Sequence, residues 1–146
     1  MSSEPAPELG VLFDVLRANE AVGAMLRDAL TGTGLTPTGY AVLSLVATLG
    51  TTTPSEVAAR IGAKPSTLTA HLAGLETDGL ISRRRGADGR SADLQITEQG
   101  RRAHGDAHRR VELVWRSVSG ELDVPELRAV LARLITSLTE RARPLR

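Results

Sequence analysis

The chain has 146 residues, 41% hydrophobic but only 2% aromatic, which allows one globular domain built on an aliphatic core of Leu, Val, Ile and Ala. Cysteine is absent, which excludes disulfide frameworks, thiolate metal sites and cysteine redox chemistry. Formal net charge is +1, no uninterrupted apolar run reaches the length of about 18 residues that a membrane span needs, and residues 1–8 are polar and proline-rich, unlike a signal peptide. The expectation is a single cytoplasmic domain over 1–146 with no membrane partner.

In chain order, Leu9, Leu12, Phe13 and Leu16 follow the spacing of a helical stripe, and Val11, Val15, Val22, Leu26 and Leu30 mark a second one. A helix apolar on two faces must bury both. Gly32 and Gly34 break it, and Thr36-Pro37 opens a second helix running through Leu43, Val46 and Leu49 to Gly50. The third helix has a capping box, with Thr53 as N-cap, Pro54 at the first helical position and Glu56 three residues after the cap. Val57, Ala58 and Ile61 give it one apolar stripe, and Gly62 ends it. The connection Gly62-Ala63-Lys64 has the length a helix-turn-helix needs. The fourth helix opens at Pro65, keeps Leu68, Leu72 and Leu75 on one face, and stops at Gly79.

A strand-turn-strand hairpin follows at once. Residues 80–85 read as one strand and residues 92–97 as the other, where Ala92, Leu94 and Ile96 alternate with Asp93 and Gln95 in the period of a half-buried strand. Between them lies Gly86-Ala87-Asp88-Gly89-Arg90-Ser91, whose Asp-Gly pair suits a tight turn. Thr97 then caps a long helix with Val111, Val114, Trp115 and Val118 as apolar positions and Gly120 as its stop. Asp123-Val124-Pro125-Glu126 opens the last helix, whose Leu127, Leu131, Leu134 and Leu138 form a heptad-like seam suited to a partner helix. The fold class expected is mainly α with a small β-hairpin wing: a winged helix-turn-helix over 36–100, with dimerisation helices at 8–31 and 101–142. The terminal helices carry more apolar surface than the central unit can cover, so a homodimer is expected.

Charge is distributed unevenly. Residues 1–53 carry two basic and five acidic side chains, a net −3, whereas residues 81–110 carry eight arginines against four acids, a net +4. Arg83, Arg84, Arg85 and Arg90 surround the hairpin tip, so the local field is positive and double-stranded DNA is the expected partner. Turning Leu68, Leu72 and Leu75 inward leaves Ser66, Ala70, Ala73 and Thr77 outward, with Thr67 and Thr69 on the flanks. None of these makes the bidentate base contacts of arginine, asparagine or glutamine, so direct readout should be modest. The helix start at Lys64, Pro65 and Ser66 offers free N–H groups to a phosphate. Arg90, at the tip, suits a narrow A·T-rich minor groove. Arg83, Arg84 and Arg85 alternate in direction, so one or two of them pair with acids or meet backbone phosphate. The DNA-binding set is therefore Lys64, Ser66, Thr67, Thr69, Ala70, Arg83, Arg85, Asp88 and Arg90. Asp88 is at least a turn residue.

Other chemistry is sparse. No nucleophile–base pair, phosphate-binding glycine loop or zinc constellation is present, so neither an enzyme nor a bound cofactor is expected. His104 and His108 stand i, i+4 on one helix face, a metal-ligand spacing that Glu20 or Glu112 could extend. Beside Arg101, Arg102, Arg109 and Arg110, solvent-facing histidines are the simpler reading. A winged module that binds protein in place of DNA is a further alternative, against which the arginine-rich wing argues.

The order of elements resembles the MarR family of bacterial transcription regulators. The carrying residues are Leu35-Thr36-Pro37-Thr38-Gly39-Tyr40-Ala41-Val42-Leu43 and Pro54-Ser55-Glu56-Val57-Ala58. They continue with Leu72-Ala73-Gly74-Leu75-Glu76-Thr77-Asp78-Gly79-Leu80-Ile81, Asp88-Gly89-Arg90-Ser91 and Leu94-Gln95-Ile96-Thr97-Glu98-Gln99-Gly100-Arg101. The resemblance implies a homodimer with helices of both chain ends interlocked, repression of target genes, and release by a small anionic or phenolic effector. It implies that Asp88 braces the wing arginines by an ion pair. It places Phe13, Tyr40 and Trp115 beside the family's ligand pocket, although ordinary core packing is the simpler role for them. A zinc-sensing branch uses two histidines on the helix of His104 and His108, but Ala41 lies where its third histidine would be. Two departures stand out: Ala70 where the recognition helix often has arginine, and Gly39 where the second helix commonly has glutamine.

Overall fold

The computed structural model describes residues 9–141. Residues 1–8, read above for a leader, and positions 8 and 142 of the expected dimerisation helices lie outside the described residues. The elements run α1 (Leu9–Ala29), α2 (Pro37–Leu49), β1 (Thr51–Thr52), α3 (Pro54–Ile61), α4 (Pro65–Thr77), β2 (Ile81–Arg85), β3 (Ala92–Ile96), α5 (Glu98–Ser119) and α6 (Val124–Arg141). Among the described residues this is a mainly helical fold with six helices and one small antiparallel sheet. By compactness the chain divides into two units, Met1–Val111 and Glu112–Arg146.

The centre of the first unit is α2. Thr36 caps it by accepting the Gly39 N–H at 3.0 Å, Pro37 fits the first turn, and Gly50 closes it at a φ of +76°. Val42, Leu43 and Val46 of α2 are fully enclosed, and Val57 of α3, Leu68 and Leu72 of α4 and Leu94 of β3 close around them. Burying each such side chain contributes roughly 1.5–3 kcal/mol, so this aliphatic cluster holds the helix-turn-helix rigid, with Tyr40 packed against its edge.

The α3–turn–α4 pair forms as its caps dictate. The Thr53 hydroxyl accepts the Glu56 N–H at 3.2 Å, and Gly62 ends α3 in the left-handed region at a φ of +68°. Glu56 does not complete the capping box in the usual way. Its carboxylate accepts the Thr52 hydroxyl at 2.9 Å and the Arg60 guanidinium at 3.1 Å, tying β1 to the helix that follows.

The sheet order is β1-β3-β2, with both pairings antiparallel. The sequence predicts two strands; the third, Thr51–Thr52, pairs with Gln95 and Leu94. A two-residue strand wedged between a helix stop and a helix cap has no periodicity to read. Thr97 ends β3 and caps α5. It accepts the Gly100 N–H at 2.9 Å and donates to the Gly79 carbonyl at 2.6 Å, fastening the hairpin's base to the end of α4. At Gly100 a Cβ would collide with the Leu80 carbonyl oxygen and lie 2.8 Å from the Ile96 side chain. The first turn of α5 crosses the hairpin too closely for any side chain.

Helix α1 buries only its end, at Ala29 and Leu30, while Val11, Phe13 and Leu16 are about 60% exposed. In the second unit, Asp123 caps α6 by accepting the Glu126 N–H at 2.9 Å. Helix α6 has no buried residue, and Leu127, Leu131, Ile135 and Leu138 are all exposed.

Candidate nucleic-acid interface

Helix α4 presents the face that its sequence spacing implies. Leu68, Leu72 and Leu75 are buried, and Ser66, Thr67, Thr69, Ala70, Ala73 and Thr77 are exposed. Two of these hydroxyls are already committed: Thr69 donates to the Pro65 carbonyl and Thr77 to the Ala73 carbonyl, each at 2.9 Å. Each offers DNA a methyl group and an acceptor lone pair but no proton. Lys64 sits at the N-cap without a side-chain cap bond, so the first N–H groups of α4 stay open beside its ammonium.

The wing is tightly folded. Gly86 and Ser91 close it through a 2.9 Å backbone bond, and the Gly89 N–H returns to the Gly86 carbonyl at 2.9 Å. One oxygen of Asp88 accepts the Arg90 N–H at 3.0 Å, the Ser91 N–H at 2.9 Å and the Ser91 hydroxyl at 2.8 Å. These bonds, led by the Ser91 N–H and then that of Arg90, hold the Asp88 carboxyl below the usual carboxylate value. The expected ion pair does not form: among the described residues no cation pairs with Asp88, whose bonds run through Oδ1 to Ser91 and the turn's own N–H groups. Gly86 is buried under the Ser91 hydroxyl, where a Cβ would collide with it. Arg85 bends back so that its Nε donates to the Gly89 carbonyl at 2.9 Å. It adds a second brace to the turn, at the Gly89 carbonyl, beside those of Asp88.

The wing arginines therefore have separate duties. Arg84 lies across from Asp93 in the strand register. Arg83 donates from Nε to Glu76 at 2.8 Å, joining β2 to the exposed edge of α4. Arg90 is exposed at the tip, with no ion pair or side-chain hydrogen bond among the described residues. Glu76 was not anticipated. Its signal was its place four residues after Leu72, on the flank of the buried stripe and ahead of the hairpin arginines.

The histidines are not simply solvent-facing. Ser44 and Tyr40 stand one turn apart on α2 and meet His104 and His108, also one turn apart on α5. Tyr40 and His108 share a hydrogen bond at 2.8 Å, and Ser44 and His104 share one at 2.9 Å. The Ser44 hydroxyl already donates to the Tyr40 carbonyl at 2.8 Å. With its one proton spent, Ser44 can only accept, so His104 Nε2–H is the donor. The three rings stack, with centroids 5.5–6.4 Å apart and planes within about 21° of one another. Burial, then the neighbouring His108, holds His104 below the usual histidine value of 6.5. Among the described residues no group of three or more His, Asp or Glu side chains is placed to hold a metal. Of the other aromatics, Phe13 is exposed on α1, and Trp115 is half-buried on α5 in the second unit.

A wing braced by Asp88 and Arg85, an exposed tip arginine and a short-side-chain helix beside it make a winged helix-turn-helix. The sequence profile of the MarR family matches residues 35–91. The crystal structure of the M. tuberculosis transcriptional regulator MOSR in complex with DNA is 32% identical, with 91% of this chain and 98% of that chain covered at a TM-score of 0.78. A MarR-family regulator from Rhodococcus sp. RHA1 is 27% identical over 97% of this chain and 98% of its own, at 0.74. The transcriptional repressor CouR bound to a 23-mer DNA duplex is 25% identical over 94% and 99%, at 0.75. No curated protein matches the chain. The chain belongs to the MarR family of DNA-binding transcriptional regulators and is not an enzyme. No described helix is long and apolar enough to cross a membrane.

Proposed function

We propose that this regulator acts as a homodimer on an inverted-repeat operator, represses its targets, and is released by a small anionic or phenolic effector. The observation that carries the dimer is the set of uncovered apolar side chains on the terminal helices: Val11, Phe13 and Leu16 on α1, and Leu131, Ile135 and Leu138 on α6. Solvent-exposed leucine and isoleucine at this density favour a second chain as cover. We assign 36–100 to DNA binding, with residues 8–31 and 101–142 as the dimerisation segments. Lys64, Ser66, Thr67, Thr69, Ala70 and Arg83 would serve the helix face and Arg90 the wing, with Arg85 and Asp88 shaping it. Repression is the stated activity of the CouR relative. For the effector, Phe13, Tyr40 and Trp115 are the chain's complete aromatic set, and none belongs to the fully buried core.

The test is a gel shift on DNA flanking the protein's own gene, with the mass of the complex measured and a hydroxybenzoate added as effector probe. The expected result is two chains per site and release by the probe. A single bound chain would overturn the dimer, and undiminished binding across a family of aromatic acids would overturn the effector.

A further inference from the structure

We propose that Glu76 is a positioning residue for DNA recognition, which aims Arg83 so that strand β2 supplies the arginine that α4 lacks. The proposal rests on the DNA-binding reading of this face. On α4 itself the exposed side chains are short, and Ala70 adds only a methyl. Arg83 lies in the middle of β2, away from the hairpin tip, yet it reaches α4. It lines a groove of about 510 Å³ shared with Pro54 and Ser55 at the start of α3 and with Pro65 and Thr69 at the start of α4. A long cationic side chain thus stands on the same platform as the first turns of both helices of the helix-turn-helix.

The geometry of the pair decides what Arg83 has left to offer. Glu76 takes Nε alone, through one oxygen at 2.8 Å. The terminal Nη1 and Nη2 have no partner among the described residues. A guanidinium is planar and rigid, so fixing Nε fixes the direction of the Nη fork. That fork is the part of arginine that bonds in a bidentate manner to a phosphate or to a guanine edge. Both side chains are about one-third exposed, 36% for Arg83 and 30% for Glu76. The pair is therefore ordered by packing while its outer end stays accessible.

A carboxylate beside a DNA-binding surface should by plain electrostatics weaken binding, and its removal should strengthen it. Positioning predicts the opposite sign. The experiment is a double-mutant cycle on the full chain, with E76A, which removes the acceptor of the Arg83 Nε–H, R83A and the double variant titrated against one operator at several salt concentrations. R83A should weaken binding about five-fold to 150-fold, the range of a lost bidentate contact, and lower the salt slope by about one per site if the contact is to phosphate. E76A should weaken binding in the wild-type background, yet leave it unchanged or tighten it in the R83A background. Thermal melting of each variant separates loss of aim from loss of fold. Equal effects of E76A in both backgrounds, or an R83A variant that binds like wild type, would overturn the proposal and leave the pair as a brace between β2 and α4. Wild-type protein that binds no DNA at all would instead overturn the functional reading beneath it.

Discussion

Arg90 is an exposed cation at the wing tip with no ion pair or side-chain hydrogen bond among the described residues, and its setting makes a specific demand on DNA. Asp88 and Arg85 both hydrogen-bond the turn's backbone, so Arg90 projects from a fixed backbone and not from a loose loop. With short side chains on α4, part of the sequence preference should come from groove shape, and an arginine in a narrow A·T-rich minor groove supplies it. Arg90→Ala should cost about 1–3 kcal/mol of binding and flatten the preference for A·T pairs flanking each half-site. Binding-site selection with both proteins reads this directly, and an unchanged flank preference would reduce Arg90 to a backbone clamp. A second residue, Gly100, tests the fold. Gly100→Ala places a methyl against the Leu80 carbonyl and should lower stability by about 1–3 kcal/mol, the scale of overpacking, measured by denaturant melting. A variant as stable as wild type would mean that α5 shifts away from the hairpin freely. The sequence showed Gly100 only as part of a motif, because a steric reason at one residue depends on a neighbour twenty positions away, the Leu80 carbonyl.

At the scale of elements, sequence periodicity was most legible where caps and buried stripes agreed. Helices α2, α3 and α4 began at Thr36-Pro37, Thr53-Pro54 and Pro65 as predicted, because a proline in the first turn and a hydroxyl cap are local signals. The two-residue β1 and the α2–α5 hydrogen bonds were not legible, since each depends on register between distant segments, and the Glu76–Arg83 pair, seven residues apart, depends on how the turn from α4 into β2 aims the two side chains. The α2–α5 contact has a pH signature. His104 is held below 6.5, chiefly by burial, so the unfolded chain binds its proton more readily than the folded one. Its contribution is intact above the unfolded value and is lost as pH falls below about 6.5 and through the lowered folded value. The melting temperature should therefore drop in mild acid, and His104→Gln should flatten that drop. An identical pH profile in the variant would show that His104 does not titrate with folding. Asp88 behaves likewise at lower pH. Its carboxyl is held below the usual 3.8 by backbone and Ser91 hydrogen bonds, so the wing's brace is present above that value and is lost as pH falls through the lowered one.

For the whole molecule, the dominant fact is the apolar side chains that α1 and α6 leave exposed among the described residues. Leu131 and Leu138, seven residues apart on α6, are both exposed. Replacing both with glutamate should yield monomers or unfolded chain in sedimentation, because burying charge at a helix seam is costly. A folded dimer from the double variant would place the interface elsewhere. The sequence already carried this reading, in the two apolar faces of α1 and the heptad spacing of α6, but it could not say which partner covers them. A dimer would also carry two wings and two α4 helices, and the DNA would need to match their spacing.

The measurement that bears most directly on the account is selection of bound sites from random duplexes by the full chain, followed by salt titration on the winning sequence. The expected winner is an inverted repeat with half-sites about one helical turn apart, near 34 Å. A·T-rich flanks are expected at each half-site, with an affinity that falls steeply with salt because neutralising several phosphates releases their counterions. Sequences that fail to converge, a lone half-site bound tightly by one chain, or an affinity indifferent to salt would contradict it.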